Sequence, residues 1–160
     1  MQQTNTSEQE PRVRLVAIQK LGKSYEMQKK KTRDTEREFI VKAYLWWRDA
    51  SKQIGYLEDI YDERCYPNNK LSPAINFTPL LRLSTDDTMT DDDMSHWHQA
   101  LNDIHAEFEA NNSTYAAAPV KTLMHYIKQN SGKTGLSTKW ANRNEKNEIT
   151  TGAGGPSRSS

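Results

Sequence analysis

Apolar positions recur three and four residues apart through most of the chain, which predicts a helical protein. The strongest such stretch is Phe39–Ala50, which holds two of the four tryptophans and neither Gly nor Pro. Wound at about 100° per residue, Phe39, Ile40, Ala43, Tyr44, Trp46, Trp47, Ala50 and Ile54 form one wide apolar arc. Val41 and Leu45 fall outside it. A helix this apolar expects neighbours on more than one face. Trp46 and Trp47 therefore read as core rather than as a platform for stacking bases, with Trp46 nearer the rim.

The flanking elements follow from the same periodicity. Leu15, Ile18, Leu21 and Tyr25 share a helical face; the alternation Val13, Leu15, Ala17 also suits a strand, but the helix formers of residues 25–29 favour a helix. Thr35-Glu36-Arg37-Glu38 matches a capping box and starts the central helix near residue 36. Gly55 offers a stop or kink before a short helix over 56–63. Pro67, Pro73 and Pro79 exclude regular helix or inner strand from 66–79. Thr78 as cap and Pro79 at the first helical position then open a short helix that buries Leu80, Leu81 and Leu83.

Thr90 followed by three aspartates is a strong helix start, with carboxylates where the helix dipole favours them. Met94, Trp97, Leu101, Ile104 and Phe108 continue it as a narrow apolar seam. Asn111-Asn112-Ser113 ends this helix. A last helix from Pro119 carries Val120, Leu123, Met124 and Ile127 on one face and stops at Gly132. Beyond Leu136 only Trp140 and Ile149 are large and apolar, and the end is rich in Gly and Ser. The expectation is an irregular all-α bundle of about five or six helices, a single domain over 13–136. A disordered tail of residues 1–12 precedes it, and a flexible polar and basic tail of residues 137–160 follows.

The hydrophobic fraction, 34%, is below the roughly 45–50% of an average globular chain, which fits a compact domain with polar ends. No run is long and apolar enough to cross a bilayer, and the N-terminus has no signal-peptide pattern. The expected location is the cytoplasm, with no membrane partner. Cys65 is the only cysteine, so neither an intramolecular disulfide nor a cysteine-based zinc site is expected.

Net charge is only +1, but it is segregated. Residues 1–52 carry 12 Lys and Arg against 7 Asp and Glu, a balance of +5. Residues 53–111 carry 3 against 12, or −9, and residues 112–160 carry 7 against 2, again +5. This pattern means partners of opposite sign or self-neutralisation in three dimensions.

Catalytic chemistry finds little support. Ser131-Gly132-Lys133-Thr134 echoes a phosphate-binding loop, but position 127 is Ile where that loop needs Gly, and no strand precedes it. His96, His98 and His105 share one helix at spacings that do not converge on one metal, so they read as flank and surface residues. No cofactor, metal or catalytic residue set is expected.

The basic residues carry the leading functional expectation, a non-enzymatic protein that binds DNA or RNA through phosphate contacts within a nucleoprotein assembly. Lys29, Lys30, Lys31, Arg33 and Arg37 crowd one helix junction, and Lys121, Lys128, Lys133, Lys139 and Arg143 lie toward the other end. The alternative is a protein-interaction module or homo-oligomer. It would use the acidic cluster Asp86, Asp87, Asp91, Asp92 and Asp93 and the apolar seam of 94–108. No motif ties the chain to a family. A small helical protein with a basic end is of a kind met among mobile elements and defence systems.

Overall fold

A computed structural model describes residues 6–27, 33–71 and 74–151, with side chains described over 11–27, 33–71 and 74–143. Eight helices run in chain order among these residues, and none is paired into a sheet. They are α1 (Thr6–Met27), α2 (Arg33–Ala50), α3 (Tyr56–Glu63), α4 (Thr78–Ser84), α5 (Asp91–Ala110), α6 (Asn112–Ala117), α7 (Pro119–Gln129) and α8 (Gly132–Thr151). The all-α class is as expected. The two helices beyond the expected count are α6 and α8.

Cross-helix contacts give the arrangement. Tyr25 stacks on Phe39, Arg14 pairs with Asp49 at 2.6 Å, and the Trp46 indole N–H donates to the Pro11 carbonyl at 2.7 Å. The end of α1 thus meets the start of α2 and the earlier part of α1 meets its end, so α1 and α2 form an antiparallel hairpin. By contrast Glu36–Trp97, Tyr44–His105 and Arg48–Glu109 keep a constant offset of 61, so α2 and α5 run parallel. Ser137 donates to the His96 carbonyl and Arg143 to Asp103, which sets α8 parallel to α5 as well. Helix α7 packs on α2 and α8.

The core forms where these helices meet. Phe39, Ile40, Tyr44, Trp46, Phe77, Leu80, Leu81, Trp97, Leu101, Ile104, Leu123 and Ile127 are almost wholly buried. The seam on α5 is thus part of the interior, with only Met94 half-buried. Around α2 the burial departs from the apolar arc. Val41 is buried and Ile54 is fully exposed, because α2 is wrapped by α1, α4 and α7 while the helix ends at Ala50 and the chain turns away before Ile54. Trp46, not Trp47, is the deeper of the pair.

Several local signals act as read and others do not. Thr90 accepts from the Asp93 amide at 3.2 Å and caps α5, and Pro79 sits in the first turn of α4. Thr78 lies inside α4, and the Asn76 side chain instead accepts from its amide at 3.3 Å. The capping box does not form: α2 already includes Thr35, and Glu38 reaches forward to Lys42 at 2.9 Å. Residues 13–18 are helical, not strand. Helix α1 starts at Thr6, earlier than the boundary expected at 13, where buried Pro11 receives the Trp46 indole. Helix α8 continues past the boundary expected at 136, because Leu136 and Ser137 are buried and Arg143 is bonded to α5.

The described residues of the proline-rich connection before α4 are pinned at both ends. Asn102, buried on α5, accepts from the Ile75 amide at 2.7 Å and donates to the Ile75 carbonyl at 2.9 Å. Tyr66 holds the near end by donating to Asp87 at 2.7 Å. Asp86 and Asp87 turn the chain after α4 with φ of 54° and 64°, a left-handed backbone that Asp tolerates better than most residues.

Close approach of α1 to the end of α4 requires Gly22. A Cβ there would lie 2.5 Å from the Ser84 carbonyl oxygen, a backbone atom that cannot swing aside. Gly22→Ala is therefore expected to destabilise the fold by roughly 1–3 kcal/mol in urea unfolding, although alanine is the better helix former. An unchanged or raised midpoint would show that α1 does not seat there.

Two half-buried histidines make stability depend on pH. Burial holds His98 and His105 below the usual 6.5; at His105 the Glu109 carboxylate opposes that effect and Arg48 reinforces it. The unfolded chain therefore takes up these protons first as pH falls. Their contribution is complete above about pH 6.5 and is lost below it, down to the depressed folded values. Asp87 and Glu109 titrate lower still. Burial pushes Asp87 up, but the Tyr66 hydroxyl and Arg82 outweigh it; Glu109 is held down by Arg48. Unfolding free energy is expected to fall between pH 7.5 and 5.5, and less so in a His98→Gln, His105→Gln double variant. Equal slopes for the two proteins would refute the assignment.

Candidate nucleic-acid interface

A polar cleft that gathers three of the predicted cations lies where α2 and α8 begin. It is about 200 Å³ and is lined by Arg33, Arg37, Ser131, Gly132, Lys133 and Thr134, with Glu36 and Trp97 behind them. Ser131 and Gly132 both have left-handed backbone, φ 65° and 74°, which turns α7 sharply into α8. The Arg37 guanidinium packs so tightly on this corner that a Cβ on Gly132 would meet its Nη2 at 3.1 Å. Glycine thus serves twice here, for the turn and for the close approach.

One carboxylate holds the cleft together. Glu36 accepts from the Trp97 indole at 2.9 Å, from the Tyr25 hydroxyl at 3.2 Å and from Lys133 at 3.3 Å. Asp93 beside it shares the single Tyr25 proton with Glu36, at 3.0 Å from the hydroxyl, and pairs with Lys133 at 3.5 Å. Burial, then the charges of Glu36 and Asp93, push the Tyr25 pKa well above its usual value, so the hydroxyl stays a donor. Helices α1, α2, α5 and α8 meet at this node.

The predicted cations divide into three groups. Lys29, Lys30 and Lys31 lie outside the described residues. Arg33, Arg37, Lys121 and Lys128 have no carboxylate partner among the described residues. Arg33, Lys121 and Lys128 are exposed and Arg37 is half-buried. Lys121, exposed His125 and Lys128 follow one stripe of α7, and Lys128 comes four residues before Gly132. The third group is occupied internally. Lys133 serves the carboxylate node, and Lys139 lies 5.0 Å over the Tyr126 ring and 3.4 Å from the Asn130 side chain. Arg143 reaches Asp103 at 2.5 Å and Glu107 at 3.6 Å.

Asp103 is fully buried and also accepts from Tyr126 at 2.6 Å, so Arg143 balances an interior charge. That leaves Arg33 and Arg37 as the cations lining the cleft without a carboxylate partner among the described residues, beside the first turn of α8. Unpaired amides at a helix N-terminus beside guanidinium groups suit a phosphate oxygen. The start of α8 was missed from sequence. Its signal was the Leu136 and Trp140 pair, four apart, in a stretch otherwise polar.

The acidic set is not one cluster. Asp86 pairs with Arg64 at 3.0 Å and Lys23 at 3.8 Å, and Asp87 with Arg82 at 2.8 Å. Asp93 belongs to the node above, and Asp91 and Asp92 are exposed in the first turn of α5. His98 and His105, expected as flank or surface residues, are half-buried, and the His105 Nδ1 lies 2.8 Å from the Tyr44 hydroxyl. Among the described residues no three His, Cys, Asp or Glu could hold a metal ion, and no helix could cross a membrane.

Removing Glu36 strands the Trp97 indole and leaves Tyr25 and Lys133 to Asp93 alone. Glu36→Ala is expected to cost roughly 2–4 kcal/mol in urea unfolding, and Glu36→Gln less, since an amide oxygen still accepts. A cost under about 0.5 kcal/mol for Glu36→Ala would mean the node is not formed in solution.

No known protein family matches the chain, and neither a curated protein nor a solved structure does, so its own geometry alone bears on function.

Proposed function

We propose that this chain is a non-enzymatic nucleic-acid-binding protein that grips the phosphate backbone of DNA or RNA as a subunit of a nucleoprotein assembly. The supporting observation is the convergence of Arg33, Arg37 and the α8 N-terminus on one polar cleft, with the Lys121–Lys128 stripe leading to the same corner. These cations remain after Lys133 and Arg143 have been taken by carboxylates and Lys139 by Tyr126 and Asn130. The cleft offers charge and amides but no shaped reader of base edges, so binding is expected to be weakly selective for sequence.

The interaction-module alternative loses its apolar seam, which lies inside the bundle, and three of its five carboxylates, Asp86, Asp87 and Asp93, are held in separate ion pairs. The apolar side chains that do stand out on a helix are Met27, at the end of α1, and Val13 and Val16, which share a face of α1 at 60% and 55% exposure. A protein partner would use that face and leave the cationic corner open.

Fluorescence anisotropy with generic duplex DNA and RNA at about 50 mM salt tests the proposal, because phosphate contacts weaken as salt rises. Arg33→Glu with Arg37→Glu, and Lys121→Glu with Lys128→Glu, are each expected to lower affinity and flatten the logarithmic salt slope by about 1–2. Lys139→Gln should change little. Absence of binding at low salt, or binding indifferent to salt, would defeat the reading.

A further inference from the structure

A groove runs along α1 beside α2, formed by two adjoining hollows of about 370 and 280 Å³ that share Ala17, Ile18 and Lys42. We propose that it docks an acidic amphipathic helix of a partner protein. Leu21 continues the lining toward one end, and Leu45 of α2 with Val120 of α7 toward the other. These three side chains pack against the core yet keep part of their surface in solvent. Exposed Val13, one turn before Ala17, extends the apolar strip along α1. Every charged residue of the lining is a cation: Arg14, Lys20 and Lys42.

Charge selects the occupant. Arg14 pairs with Asp49 and Lys42 with Glu38, but neither carboxylate lines the groove. Lys20 has no carboxylate partner among the described residues. An acidic flank therefore meets cations and no anion of the lining. A second copy seating its own α1 here would oppose like charges, since residues 11–27 carry Arg12, Arg14, Lys20 and Lys23 against Glu26. A phosphate backbone would meet the cations but leave the apolar strip in water. Shape selects the conformation. From Arg14 to Ser24 the lining runs about 15 Å along α1, nearly three turns of a facing helix. All its residues belong to α1, α2 and α7, whose backbone groups are bonded within each helix. An extended segment finds no edge to pair with there, whereas a helix brings its own hydrogen bonds. The walls are preformed, because the Tyr25–Phe39 stack and the Trp46–Pro11 bond hold α1 on α2 to either side of the groove. Arg33 and Arg37 do not line it, so docking here does not depend on the phosphate site.

Selection from a phage-displayed library of random peptides, about 14 residues long, on the full chain tests the proposal. Enriched peptides are expected to carry net negative charge and large apolar residues three and four apart. The leading peptide, synthesised with a fluorescent label, should bind Ala17→Glu at least about tenfold more weakly and Lys20→Glu about three- to tenfold more weakly. Both positions are exposed and glutamate is a good helix former, so both variants should keep the helix content of the parent. Arg33→Glu with Arg37→Glu should leave peptide binding unchanged, which separates this groove from the phosphate site. No enrichment, enriched peptides without acidic charge or helical spacing, or binding that both groove variants retain overturns the proposal. So does loss of DNA binding in Ala17→Glu, which would give the groove to nucleic acid. A dimer in light scattering that Ala17→Glu dissociates would give it to a second copy and overturn the proposal equally.

Discussion

The Glu36 carboxylate is the constraint on which the arrangement depends. A half-buried anion is tolerated only where donors surround it, and its three come from three other helices: Tyr25 of α1, Trp97 of α5 and Lys133 of α8. Each donor therefore reports on the register of its helix. Shifting α5 or α8 by a residue would carry Trp97 or Lys133 about 100° around its axis and leave a charge with too few partners. With this end fixed, Tyr44–His105 and Arg48–Glu109 continue the same parallel register farther along α2 and α5.

This node also decides which cations are available for anything else. Segregated charge along the chain becomes largely neutralised in space, because the acidic middle is drawn against the basic ends. Lys23 meets Asp86, Arg48 meets Glu109, Lys133 meets Glu36 and Asp93, and Arg143 meets Asp103 and Glu107. Only the last of these involves a fully buried carboxylate, where loss of the partner would be felt most. Of the described cations predicted for the interface, those left over lie at the start of α2 and along α7, and the proposed interface is built from them; Arg12, Lys20 and Lys70, which also lack a carboxylate partner among the described residues, lie on α1 and before α4. Charge count alone would have assigned Lys133 and Arg143 the same role as Arg37.

Two clefts on α2 differ in kind. The one at the α8 N-terminus is polar, small and backed by ion pairs, a place for an oxyanion. The one between the end of α2, α3 and the described residues before α4 is larger and lined by Trp47, Leu57, Tyr61, Leu71 and Ile75. Helix α2 contributes to both, its first turn to the polar cleft and Trp47 to the aromatic one.

Elements whose signal is local were legible from sequence. Thr90 before three aspartates specified the start of α5, and the spacing of Trp97, Leu101, Ile104 and Phe108 specified its buried face. Pro119 and the apolar face after it specified α7. What sequence could not decide was every property that depends on a neighbour. Helix α8 has a polar composition that would not hold it as an isolated helix; it persists because α5 covers Leu136 and Ser137 and bonds Arg143. The capping box yielded because Glu38 found Lys42 once α2 extended back to Arg33. Which of the cationic residues stay unpaired is likewise a tertiary outcome. A lysine's charge is written in the chain, but whether a carboxylate stands within reach of it is set only when helices distant in sequence are packed side by side.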